Sequence, residues 1–203
     1  MTVLLPDAQR DNHTIRYFRE LLTEVPARAG TALDVGCGEG FASRALAARG
    51  LTVLGIDLDT DSLDAARAQT SESITYAEAD VLTASLEPGS FDVVTALAVL
   101  HHLPLEQGLE RLRSLVAPGG QLLIVGLAAS TLPQDAPREL AAVVAHRWRA
   151  LRRPQWDHPS PTVWPPPHTY REVREASARI LPGSQFKRRL LWRYTLAWKN
   201  AES

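Results

Sequence analysis

Residues 33–40 read LDVGCGEG: an acid, Asp34, near the end of an apolar run, then glycine at every second position, Gly36, Gly38 and Gly40. Glycine lets the backbone turn sharply and lets a ligand approach the main chain closely. Dinucleotide sites use G-x-G-x-x-G to set a pyrophosphate on a helix N-terminus. That pattern requires glycine at position 41, where this chain has Phe41. A carboxylate two residues before the first glycine would also repel a pyrophosphate. Such a loop suits a ligand that wants both bare backbone and a nearby negative charge, such as an amino-acid tail carrying a sulfonium.

Outward from the loop, the chain alternates between two textures. Apolar runs at 31–36, 51–58, 74–80, 91–99 and 120–127 read as strands, the last set up by the turn APGG at 117–120. Between them, helical spacing predicts helices over 41–50, over 61–70 opened by Asp61, and around 105–116. Strand and helix in this alternation imply βαβ units, a parallel sheet with helices on both faces, and right-handed crossovers. In such sheets ligands bind at the carboxyl ends of the strands, where the glycine loop falls. Two further acids end the second and third strands, Asp57 and Asp80. Asp57 can accept hydrogen bonds from both hydroxyls of a ribose, and Asp80 from an adenine amino group. Three acids and no phosphate-pairing base favour a nucleoside without phosphate.

The bulk properties set limits. The 203 residues fit one domain with a sizeable core, and 45% apolar with 22% charged residues is an ordinary globular composition. A net charge of −1 gives no electrostatic case for nucleic acid or an acidic membrane. No run reaches the length of a membrane span, the N-terminus lacks the apolar core of a signal peptide, and one cysteine, Cys37, leaves no intrachain disulfide. A cytoplasmic monomer or homodimer is the expectation.

In order, LDVGCGEG, GIDLD, AEADV, FDVVTALAVLHHL and LVAPGGQLLIV resemble the motifs of class I, Rossmann-like S-adenosylmethionine-dependent methyltransferases. The resemblance implies an α/β fold with a doubly wound sheet of about seven strands, mostly parallel with an antiparallel C-terminal strand. It implies S-adenosylmethionine as methyl donor, S-adenosylhomocysteine as product, and no metal. It places Asp34 and the loop backbone at Gly36, Cys37 and Gly38 near the methionine part and Asp57 on the ribose, with Leu58 counted beside it. Asp80 falls on the adenine amino group, the Val81 backbone on the ring, and Leu97 near the ligand amine. Cys37 is otherwise a small loop filler.

The expected domain spans 1–203: a helical lid at 1–29, the cofactor-binding core at 30–127, a helical and proline-rich substrate-side insertion at 128–183, and C-terminal strands at 184–203. The acceptor is expected to be a small molecule presenting oxygen or nitrogen. His101 and His102 lie just after the fourth strand, and histidine is suited to take a proton near neutral pH; His101 is preferred, against packing or helix-capping roles for either residue. Tyr17 on an N-terminal helix, and Trp156 and Trp164 in the insertion, are candidate acceptor contacts. All four of Trp156, His158, Trp164 and His168 are expected to line the pocket, with both tryptophans buried against something. A helix is expected over 138–152, and another over 169–181 with Thr169 and Glu172 as a capping box. The alternate apolar residues of 185–199 predict two strands broken near 190–193, with Lys187, Arg188, Arg189 and Arg193 on a solvated face. The histidines carry no metal-ligand spacing. Nothing like the D/N-P-P-Y/F loop of nucleobase and glutamine methylation follows the fourth strand. A catalytically inactive S-adenosylmethionine-binding regulatory protein is the alternative reading, and a dehydrogenase a more distant one.

Overall fold

A computed structural model describes residues 12–130 and 164–201. Seven strands form one sheet: β1 (Thr31–Val35), β2 (Thr52–Asp57), β3 (Ile74–Glu78), β4 (Phe91–Leu97), β5 (Val116–Leu127), β6 (Gln185–Arg188) and β7 (Arg193–Lys199). Their order is β3-β2-β1-β4-β5-β7-β6. The first five pair in parallel, and β7 runs antiparallel to both β5 and β6. The order reverses between β1 and β4, which makes their carboxyl ends the switch point where such sheets hold ligands.

The central strands are apolar on both sides because both faces are covered. On one face pack α1 (His13–Leu21), α2 (Phe41–Ala47) and α3 (Thr60–Arg67), through Phe18, Leu21, Ala42, Leu46, Leu63 and Ala66. On the other pack α4 (Leu105–Leu115) and the helix Tyr170–Ile180, here α5, through Leu109, Leu112, Leu115, Val173, Ala176 and Ile180. The Thr169–Glu172 capping box opens α5 as expected.

Two boundaries differ from the sequence reading. Asp59, not Asp61, is the N-cap of α3, and its carboxylate takes the Ser62 hydroxyl at 2.6 Å. Asp61 falls in the first turn, where a negative charge favours the helix N-terminus. β5 begins at Val116 because Phe91 pairs there before the register shifts to Val93–Gln121. The turn of the C-terminal hairpin lies at 189–192 as expected, although its residues are unconventional: Leu191 and Trp192 take φ of 62° and 58°. The positions Trp156 and His158, and the helix expected over 138–152, lie outside the described residues.

Candidate functional site

The loop between β1 and α2 owes its glycines to close neighbours. A Cβ on Gly36 would lie 2.2 Å from Cγ2 of Val99, and Gly36 holds φ at 62°. A Cβ on Gly40, at φ 78°, would lie 2.1 Å from the Tyr76 hydroxyl. Side chains from β3 and from just after β4 therefore press on the loop and fix its path, and only glycine fits where they meet it.

The three acids are spread across the carboxyl ends of β1, β2 and the turn after β3. Asp34 is buried, and its two oxygens accept the hydroxyls of Ser43 on α2 and Thr95 on β4 at 2.7 and 2.8 Å. Burial pushes its carboxyl up to about 6, against the pull of those hydroxyls. Asp57 turns back on the loop: Oδ2 accepts the Gly38 amide at 2.7 Å and Oδ1 the Asp59 amide at 2.9 Å. Asp80 Oδ1 accepts the Leu82 amide at 2.9 Å. Its Oδ2 and the Val81 amide make no hydrogen bond among the described residues. Arg111 of α4 holds this turn by donating to the carbonyls of Val81 and Ala84 at 2.9 and 2.7 Å. The Val81 side chain is buried in the core, whereas Leu58 stands 67% exposed beside Asp57.

This donor and acceptor set fits S-adenosylmethionine. A buried carboxylate with no basic partner suits a cation nearby. Each Asp57 oxygen keeps a lone pair after its backbone bond, which leaves room for two ribose hydroxyls. An unengaged carboxylate oxygen next to an unengaged amide matches the amino group and ring nitrogen of adenine. Cys37 is buried, and burial followed by the charges of Asp34 and Asp57 raises its thiol, so it is not a nucleophile.

Leu97 ends β4, and Ala98 follows at φ 57°, turning the chain toward Val99 and the short 3-10 turn Leu100–His102. That turn separates the two histidines. His101 is 7% exposed, and its Nδ1 is buried without a hydrogen-bond partner among the described residues. Burial, then the charges of His102 and Arg193, push it down to about 4. His102 is exposed, with its ring centroid 4.1 Å from that of His101. His101 is therefore a neutral imidazole whose buried Nδ1 has no partner among the described residues, at the end of the strand beside the glycine loop.

The other acceptor-side residues fall into two groups. Tyr17 is half-buried on α1 with the Arg189 guanidinium 5.2 Å from its ring centre. Trp164 is not buried as expected: it is 55% exposed, with an edge-on contact to Trp192 at 5.3 Å. The backbone next to it is anchored, since Ala129 donates to the His168 carbonyl at 2.8 Å at the end of β5. Arg193 also departs from the expected solvated face. It is half-buried, and its Nε donates to Thr14 of α1 at 3.0 Å. The small residues Thr195 and Ala197 follow it on the same side of β7, a signal that this side packs against α1. Sequence reasoning also passed over Thr95, although a lone hydroxyl in the run FDVVTALAV marks a buried polar partner. Ser43 and Val99 carry no such local mark. Among the described residues no group of three or more His, Cys, Asp or Glu is placed to hold a metal.

The chain is similar to known proteins. Residues 33–124 match the methyltransferase domain family. Uncharacterized methyltransferases of Mycobacterium bovis and Mycobacterium tuberculosis are each 34% identical over 190 residues, spanning 93% of this chain and 96% of theirs. A ubiquinone biosynthesis O-methyltransferase of Paraburkholderia xenovorans is 38% identical over 133 residues, 63% of this chain and 55% of that protein. Among solved structures, a SAM-dependent methyltransferase from Aquifex aeolicus superposes with a TM-score of 0.60 at 15% identity, covering 89% of this chain and 88% of that one. Phosphoethanolamine N-methyltransferase 2 of Haemonchus contortus, in complex with phosphomonomethylethanolamine and S-adenosylhomocysteine, does so with a TM-score of 0.61 at 22% identity, covering 85% of this chain and 38% of that one.

Proposed function

Because the chain belongs to the class I S-adenosylmethionine-dependent methyltransferases, we propose that residues 1–203 form one domain that methylates a hydroxyl of a small molecule, with His101 as general base. The observation that carries this reading is the buried, unpartnered Nδ1 of His101 at the end of β4. When bound, S-adenosylmethionine supplies a methyl carbon activated by a sulfonium and open to in-line displacement. Asp57 holds the ribose hydroxyls while its bond to Gly38 keeps the glycine loop in place. Asp80 and the Val81 amide hold adenine, and Asp34 sets a negative charge beside the cationic end. His101, neutral at physiological pH, would accept the proton of the acceptor hydroxyl at its unpartnered Nδ1 as the oxygen–carbon bond replaces the methyl–sulfur bond and S-adenosylhomocysteine leaves.

A base of this kind is worth about 10²–10⁴-fold, and alignment of the acceptor supplies much of the rest. The relatives named for O-methylation in ubiquinone biosynthesis support an oxygen acceptor of low molecular weight. The test is to follow S-adenosylhomocysteine formation on adding fractions of a cell extract. Turnover should rise with the low-molecular-weight fraction and not with its proteins or nucleic acids. The opposite partition would refute the small-molecule reading.

A further inference from the structure

Arg193 opens β7 opposite Leu127, at the carboxyl end of β5. Its guanidinium is fixed from two directions: Nε donates to Thr14 Oγ1 and Nη1 to the Leu191 carbonyl, each at 3.0 Å. No carboxylate pairs with it among the described residues. The adjacent arginines differ. Arg189 pairs with Glu20 at 2.9 Å, and Arg188 lies 3.9 Å above the centre of the Tyr170 ring. Among the described residues Arg193 keeps both protons of Nη2, and the Thr14 hydroxyl, which accepts from Nε, keeps a proton of its own to donate. A half-buried guanidinium without a counter-charge is costly to maintain. The turn that presents it is costly too, because Leu191 and Trp192 both hold left-handed backbone, at φ 62° and 58°.

Aromatic and titratable groups lie around this guanidinium. Tyr170 and Tyr17 are close enough to act electrostatically on Arg193, and Arg193 close enough to act on His101. Trp192 follows Leu191 in the same turn, with its carbonyl taking the Ala128 amide at 3.2 Å. Aromatic rings, a fixed cation and an imidazole with an unpartnered nitrogen thus gather at one end of the sheet.

We propose that Arg193, with the Thr14 hydroxyl beside it, is the receptor for a carboxylate on the methyl acceptor, which makes the acceptor a small hydroxy acid whose hydroxyl reaches His101. A planar two-oxygen group matches the free edge of a guanidinium held in this way. The assignment of that carboxylate to the methyl acceptor rests on the function proposed above; the anion site itself does not.

The probe is benzoate, with benzamide as its neutral isostere, titrated in the presence of S-adenosylhomocysteine while tryptophan emission is followed. Benzoate should give a saturable change and benzamide none. Arg193→Gln should weaken benzoate at least about tenfold, the loss expected for one charge-assisted bond, with the affinity for S-adenosylhomocysteine unchanged. Arg193→Lys, which keeps the charge without the fork, should fall between. Should Arg193→Gln fail to fold, Thr14→Val tests the same donor pair and should also weaken benzoate. Equal binding of benzoate and benzamide, or benzoate binding that none of these substitutions weakens, overturns the site. Arg193-dependent benzoate binding without any methyl transfer would instead refute the reaction and leave the anion site standing. Labelled products that are all neutral and formed equally by Arg193→Gln would refute the anion site and leave the reaction standing.

Discussion

The carboxylate of Asp57, at the end of β2, accepts the amide of Gly38 in the loop after β1 at 2.7 Å. The acid proposed to hold the ribose is thus also the clasp of the glycine loop, and one substitution acts on both. Asp57→Ala should weaken S-adenosylmethionine binding at least about tenfold, since each charge-assisted bond is worth about 1.5–3 kcal/mol. Asp57→Asn, which keeps an acceptor for Gly38 and loses the charge, should lose less. Calorimetric titration of both variants measures this, and an unchanged dissociation constant in Asp57→Ala would remove the residue from the site.

The burial of Asp34 has a pH signature. Burial pushes its carboxyl from the ordinary 3.8 up to about 6 in the folded protein. Between those values the folded protein binds more protons than the unfolded chain, so this group's contribution to stability falls as pH rises and stays low above 6. Asp34→Asn can still accept from one hydroxyl and donate to the other. It should therefore gain stability relative to the parent between pH 4 and pH 6, by up to ~3 kcal/mol. Melting temperatures of the two proteins across this range give the comparison, and a constant difference would contradict it.

Gly36 and Val99 are a steric pair. Gly36→Ala adds a Cβ 2.2 Å from Cγ2 of Val99 and forces alanine into φ of 62°. A cost of about 2–4 kcal/mol is expected from overpacking together with left-handed strain. Adding Val99→Ala should recover the overpacking part and leave the backbone part. Chemical denaturation of the single and double variants separates the two, and a double variant no more stable than Gly36→Ala would show that Val99 is not the obstacle.

The two histidines should separate cleanly. His101→Ala should lower turnover by about 10² or more and leave S-adenosylmethionine affinity nearly intact. His102→Ala, at an exposed position, should stay within about threefold of the parent. Since His101 is held down to about 4, the base form persists below the usual histidine range. The acid limb of kcat/KM for the acceptor, at saturating donor, should lie below pH 5. An acid limb that disappears in His102→Ala and survives in His101→Ala would move the role one residue along.

Much of this architecture was legible because it follows from local pattern. Buried strands of a parallel sheet are apolar throughout, so β1, β2 and β4 stand out, and Gly36 and Gly40 mark a turn that no larger residue could make. The site was legible in part, where an acid closes a strand, as Asp57 does. Contacts made across the sheet left less trace. The hold of Ser43 on Asp34, of Val99 on Gly36 and of Arg111 on the 81–84 turn joins residues 9, 63 and about 30 positions apart. The hairpin turn at Leu191 and Trp192 runs against local preference and is held by its neighbours. Arg193 read as a surface charge because a single strand does not show which of its faces a helix will cover.

The most direct test of the account is transfer from S-adenosylmethionine labelled in the methyl group into a metabolite extract, with mass spectrometry to locate the label. The account predicts label in a compound of low molecular weight, attached through oxygen, and lost about 10²-fold or more with His101→Ala. S-adenosylmethionine that binds in an Asp57-dependent manner while label reaches no acceptor, or reaches only protein or nucleic acid, would contradict it.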